Sequence, residues 1–125
     1  MKTFIVTGAV LAALAVAAGA FGAHALAARL TPERLVTWET AARYHMYHAF
    51  ALVLLGLAGA RWPAPLLHVA GWLFVVGVIV FGGTVYALAL GGPRWLGAIT
   101  PIGGVALIAG WILFAVGVAR GHPVP

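Results

Sequence analysis

Charged residues divide the chain into long uncharged runs. Thr3 to Ala28 lies between Lys2 and Arg29, Tyr44 to Ala60 between Arg43 and Arg61, Trp62 to Pro93 between Arg61 and Arg94, and Trp95 to Ala119 between Arg94 and Arg120. A helix rises 1.5 Å per residue, so about 20 apolar residues cross a hydrocarbon core roughly 30 Å thick. Runs of 26, 32 and 25 residues exceed that length, while the second, at 17, needs its flanking arginines to reach outward. No period-two alternation marks a barrel, and an open sheet cannot satisfy its backbone in lipid. The pattern predicts an all-α, polytopic membrane protein. It forms one domain, residues 1–125, with four transmembrane helices at about 4–26, 44–60, 66–90 and 95–119.

The connections refine this. Thr31-Pro32-Glu33 has the make-up of a helix start, with Thr as N-cap, Pro at the first helical position and an acid in the first turn. Leu35, Trp38, Ala42 and His45 then recur at helical spacing, which predicts a short amphipathic helix over about 32–43 at the interface, running into the second span. Arg61-Trp62-Pro63-Ala64-Pro65 and Gly91-Gly92-Pro93-Arg94-Trp95 are short, each with a Trp beside an Arg as interfacial anchors. The first run shares features with a signal peptide, but it stays apolar to Ala28, and Ala15, Gly19 and Ala23 form a small-xxx-small seam. It is therefore read as an uncleaved helix. An even number of spans puts Lys2, Arg61 and Arg120 on one side and Arg29, Arg34, Arg43 and Arg94 on the other, a split too even to set orientation.

Composition then restricts the chemistry. Ser, Cys, Asp, Asn and Gln are absent, only Glu33 and Glu39 carry carboxylates, and charged residues make up 7% against about 25% in a soluble domain. This excludes disulfides, thiolate or serine nucleophiles, iron–sulfur clusters and covalent haem, and leaves too few oxygen ligands for Mg or Ca. The one lysine, Lys2, sits in no phosphate-binding loop. The net charge of +5 is dispersed, so no nucleic-acid partner is expected. The reading is a non-enzymatic protein with no cofactor.

Counting inward from the arginines locates the remaining polar groups. His24 is five residues inside Arg29, His48 five inside Arg43, Thr100 six and Tyr86 eight inside Arg94, which places them about 7 to 12 Å deep in one leaflet. Tyr44, His45 and Tyr47 lie nearer the same rim. Pro101 cannot donate to the Gly97 carbonyl and Gly103-Gly104 follows, so a kinked or locally unwound backbone is expected at that level. Gly82-Gly83-Thr84 is a second weak point.

Gly19-Ala20-Phe21-Gly22-Ala23-His24-Ala25-Leu26, Arg43-Tyr44-His45-Met46-Tyr47-His48-Ala49 and Trp95-Leu96-Gly97-Ala98-Ile99-Thr100-Pro101-Ile102-Gly103-Gly104 together resemble the YgdD-like family of small four-helix bacterial inner-membrane proteins. The resemblance implies an uncleaved, multi-pass protein of the bacterial inner membrane and carries no activity with it. The family motif often has Gln where this chain has His45.

The leading expectation is an integral membrane protein in contact with the lipid bilayer. Its polar layer of His24, Arg43, Tyr44, Tyr47, His48, Tyr86 and Thr100 would bind a small polar ligand, a lipid headgroup or a partner segment. An anionic lipid or another membrane protein is the candidate partner. One alternative is a haem or metal protein using His24, His45 and His48. The other is a scaffold or assembly subunit docking through its Ala/Gly seams.

Overall fold

The computed structural model describes all 125 residues and is entirely helical, without strands. Four helices follow in order: α1 over Lys2–Leu26, α2 over Pro32–Arg61, α3 over Pro65–Ala89 and α4 over Leu96–Arg120. Of these, α1, α3 and α4 are long and apolar enough to cross a membrane. The ends follow the punctuation of the sequence. Thr31 caps α2 by accepting from the Arg34 N–H at 3.3 Å, with Pro32 at the first position. Pro65 opens α3, and Gly91 closes the turn after it at φ +90, a conformation that strains any residue with a Cβ.

Residues 32–43 and 44–61 form one uninterrupted helix, because no Gly or Pro interrupts the chain between Pro32 and Gly56. At 30 residues α2 is about 45 Å long. It packs between α1 and α3, α4 packs on the far side of α3, and α2 meets α4 only locally. Gly91 approaches Arg34, so the first and third loops share one end. At the other end Val124 N–H donates to the Arg61 carbonyl at 2.9 Å, and the Arg61 guanidinium donates to the Val124 carbonyl.

The core joins Phe4 of α1, Leu52 and Leu55 of α2, Ala70, Phe74 and Val78 of α3, and Leu107 of α4. Outside it, Val10, Leu14, Phe50, Leu54, Leu57, Val76, Ile79, Val105 and Ile112 are all exposed. Such continuous apolar surface is stable against lipid rather than water. The face that α1 buries is Phe4, Gly8, Ala15, Gly22 and Leu26. The expected seam of Ala15, Gly19 and Ala23 is therefore corrected: Ala15 is buried, but Gly19 and Ala23 are exposed. A strict four-residue step drifts around a helix of 3.6 residues per turn and leaves the interface.

Local unwinding at Pro101 is likewise corrected. α4 stays helical through it, and Pro101 is exposed. Pro101 lies in the second turn, where the loss of one bond to Gly97 is tolerated without unwinding. The irregular backbone occurs instead as two π turns, Gly22–Leu26 in α1 and Val78–Gly82 in α3. At the second, Gly103 of α4 comes so near that a Cβ on it would collide with the Phe81 backbone nitrogen. Gly103→Ala is therefore expected to lower stability by about 1–3 kcal/mol through overpacking. Gly19→Ala, with nothing within 4 Å, should be neutral or stabilising. Thermal unfolding in detergent measures both, and equal stability of the two variants would contradict this packing.

Candidate functional site

In the bilayer, helices associate through close packing and interhelical hydrogen bonds. Here each helix interface carries one such bond. Between α1 and α2, Trp38 Nε1–H donates to the Ala18 carbonyl at 2.8 Å, its ring lying where any Cβ on Gly22 would collide. Between α2 and α3, His45 Nδ1 and Tyr86 Oη are 2.9 Å apart. Between α3 and α4, Thr84 Oγ1 and Thr100 Oγ1 are 2.7 Å apart. Between α2 and α4, Trp111 Nε1–H donates to His48 Nε2 at 3.1 Å.

The chemistry of the partners fixes the state of His48. An indole N–H only donates, so Nε2 accepts. The Tyr44 carbonyl only accepts, so the Nδ1 that contacts it at 2.6 Å carries the proton. His48 is therefore a neutral imidazole in the Nδ1–H tautomer, assigned from its partners, with both nitrogens used. Each threonine hydroxyl has one proton. Thr84 lies within reach of the Val80 and Phe81 carbonyls of the π turn and Thr100 of the Leu96 carbonyl, so one hydroxyl donates to the other and the second donates to its own helix. His45 is buried, and its Nε2 has no hydrogen-bond partner.

The sequence places its candidates at one depth, and the structure distributes them around the bundle. Tyr44, Tyr47 and His48 come together on one face of α2. With Phe81 of α3 and Gly104, Leu107, Ile108 and Trp111 of α4 they line a groove of about 590 Å³. Arg43 does not line the groove; it is exposed and lies four residues before Tyr47 on α2, a spacing that puts the two on one helical face. Tyr86 joins His45 and Trp38 instead, its ring 4.6 Å from that of Trp38. Thr100 belongs to the α3–α4 contact. His24 is exposed on the π turn of α1, a helix that does not pack on α4. Of the residues expected at the kink, Gly104 lines the groove, Gly103 is the close contact to Phe81, and Gly97 and Pro101 are exposed.

The three histidines of the metal or haem alternative are not brought together. No three His or Glu side chains form a group able to hold a metal ion. His45 turns to Tyr86 of α3, His48 spends both nitrogens on Tyr44 and Trp111, and His24 is exposed on α1. Trp111, Phe81 and the bonding roles of Thr84 and Trp38 were not legible as site features in the sequence. For Trp111 a signal exists. It lies nine residues, about 13 Å, inside Arg120, deeper than the belts where interfacial tryptophans sit.

Comparison with known proteins adds a family context. A family model described as "Protein of unknown function (DUF423)" matches residues 18–104. The UPF0382 membrane protein YwdK of Bacillus subtilis is 43% identical over 121 residues, covering 96% of this chain and 98% of the relative. UPF0382 membrane protein SSP2132 of Staphylococcus saprophyticus is 44% identical over 120 residues, 96% of this chain and 99% of the relative. UPF0382 membrane protein SAB0533 of Staphylococcus aureus is 44% identical over 90 residues, 72% and 73% of the two chains. No solved structure matches. These findings support the coarser part of the resemblance drawn from the sequence, an uncharacterised family of small bacterial membrane proteins.

The His45 contact yields a discriminating pair of substitutions. A glutamine amide can replace the imidazole as the partner of the Tyr86 hydroxyl, so His45→Gln is expected to stay within about 0.5 kcal/mol of the parent. His45→Leu strands the Tyr86 hydroxyl and should cost about 1–2 kcal/mol. Reversible unfolding in mixed micelles measures both, and a leucine variant as stable as the glutamine variant would refute the assignment.

Proposed function

The chain belongs to the DUF423/UPF0382 family of membrane proteins, and from that premise we propose that it is a four-span, multi-pass protein of the bacterial inner membrane. It works there as a non-enzymatic binder of anionic phospholipid. The fourth span is α2. It packs between α1 and α3, two helices that are long and apolar enough to cross, so it must cross with them. Because α2 exceeds the hydrocarbon thickness, its N-terminal part, Pro32 to Arg43, projects to headgroup level with its charges.

The observation that carries the binding reading is the groove between α2, α3 and α4. Its walls, Phe81, Leu107, Ile108 and the bare face of Gly104, suit an acyl chain. Its mouth carries the hydroxyls of Tyr44 and Tyr47 on exposed side chains, beside the exposed Arg43. A guanidinium and two phenols there suit a lipid phosphate. His48 contributes shape rather than charge, since both its nitrogens are spent inside the protein. The remaining polar-layer candidates, Tyr86, Thr100 and His24, lie outside this site.

Gly104→Leu tests the reading. A Cβ at Gly104 would meet Phe81 Cδ2 only at 3.9 Å, so the new side chain fills the groove without displacing backbone. Native mass spectrometry after purification and exposure to phosphatidylglycerol should show one retained lipid on the parent and none on Gly104→Leu. The variant's unfolding temperature should be unchanged or raised. Arg43→Gln should erase the preference for phosphatidylglycerol over phosphatidylcholine. Retention by both variants at the parent's level would mean annular lipid only, and the reading would fall.

A further inference from the structure

Trp111 borders two cavities. On one side is the groove of about 590 Å³; on the other is a smaller cleft of about 240 Å³ lined by Trp111, Phe114, Ala115 and Val118. Gly104, Ile108, Trp111, Ala115 and Val118 follow one another at three- and four-residue steps along α4, so the two hollows are successive parts of one stripe. The Trp111 indole stands across that stripe. It is held there by the hydrogen bond to His48 and by Phe74 and Phe114, whose rings lie 5.1 and 6.0 Å away. Trp111 is 41% exposed, so the side chain borders the surface as well as these partners.

We infer that Trp111 is a specificity-determining partition that limits the length of the acyl chain the groove accepts. This rests on the lipid-binding reading of the same groove. A chain entering at Tyr44 and Tyr47 runs along Gly104 and Leu107 and stops against the indole. The smaller cleft continues the path from Trp111 to Val118, seven residues or roughly 10 Å further along α4. Removing the indole joins the two. The nitrogen contributes separately from the ring: without its N–H, the aromatic barrier persists, but its tie to α2 and the fixed tautomer of His48 are lost.

The test is competition between dilauroyl and distearoyl phosphatidylglycerol for the full-length protein in detergent, read by native mass spectrometry. The parent should retain the dilauroyl lipid preferentially. Trp111→Ala should reverse the preference, and Trp111→Leu, which keeps an apolar side chain against Phe74 and Phe114, should shift it the same way by less. Trp111→Phe should keep the parent's preference. Adding Ala115→Trp to Trp111→Ala refills the smaller cleft and should restore the shorter chain. If Trp111→Ala and Trp111→Leu bind lipid with the parent's chain preference, the partition is refuted while lipid binding stands. If the parent itself retains neither lipid, the binding reading fails and the partition with it.

Discussion

The contact on which the candidate site depends is the hydrogen bond from Trp111 to His48. Lipid tails are as apolar as the helix surfaces, so no hydrophobic gain draws α4 onto α2, and the two helices otherwise meet only locally. A buried imidazole in that setting is costly unless both nitrogens are used. The Tyr44 carbonyl and the Trp111 indole use them, and in doing so build the floor of a groove whose walls come from three helices. The other interfaces also carry hydrogen bonds, with Trp38, the His45–Tyr86 pair and the Thr84–Thr100 pair each bridging two helices. Each such bond contributes about 0.6 to 2 kcal/mol, so assembly also depends on glycine contacts as close as that of Gly103 with Phe81.

Backbone geometry and side-chain chemistry are linked at the π turns. The turn at Val78–Gly82 sits against Gly103, its carbonyls lie within reach of the Thr84 hydroxyl, and Phe81 from the same turn forms the wall opposite Gly104. The turn at Gly22–Leu26 receives the Trp38 ring against Gly22. Irregular helix is tolerated at membrane depth where neighbouring protein covers it, and both turns are covered on their inner side.

Much of the fold is legible in the sequence because membrane thickness acts on length and charge. Arginines, Pro65 and the Gly91-Gly92-Pro93 turn mark helix ends, Thr31 caps α2, and the first and third loops share an end as an even helix count requires. The site is less legible, for a physical reason. Counting residues from an arginine gives depth but not direction around the helix axis. Tyr86, Thr100 and His48 lie in one leaflet by count, yet they point into three different interfaces. Direction also decides Ala15, Gly19 and Ala23, which part company after one step. Pro101 misleads because one missing hydrogen bond does not by itself unwind a helix, whereas the π turn beside Gly82 and Gly83 arises where α4 presses closest.

His48 is saturated between Tyr44 and Trp111 and serves as structure rather than as a free ligand. Nitrogen-15 NMR of the labelled protein in lipid nanodiscs reads this directly. The expected spectrum shows a His48 ring protonated at Nδ1 and unprotonated at Nε2, with a measurable coupling across the hydrogen bond to the Trp111 indole nitrogen. A ring protonated at Nε2, or the absence of that coupling, would contradict this assignment.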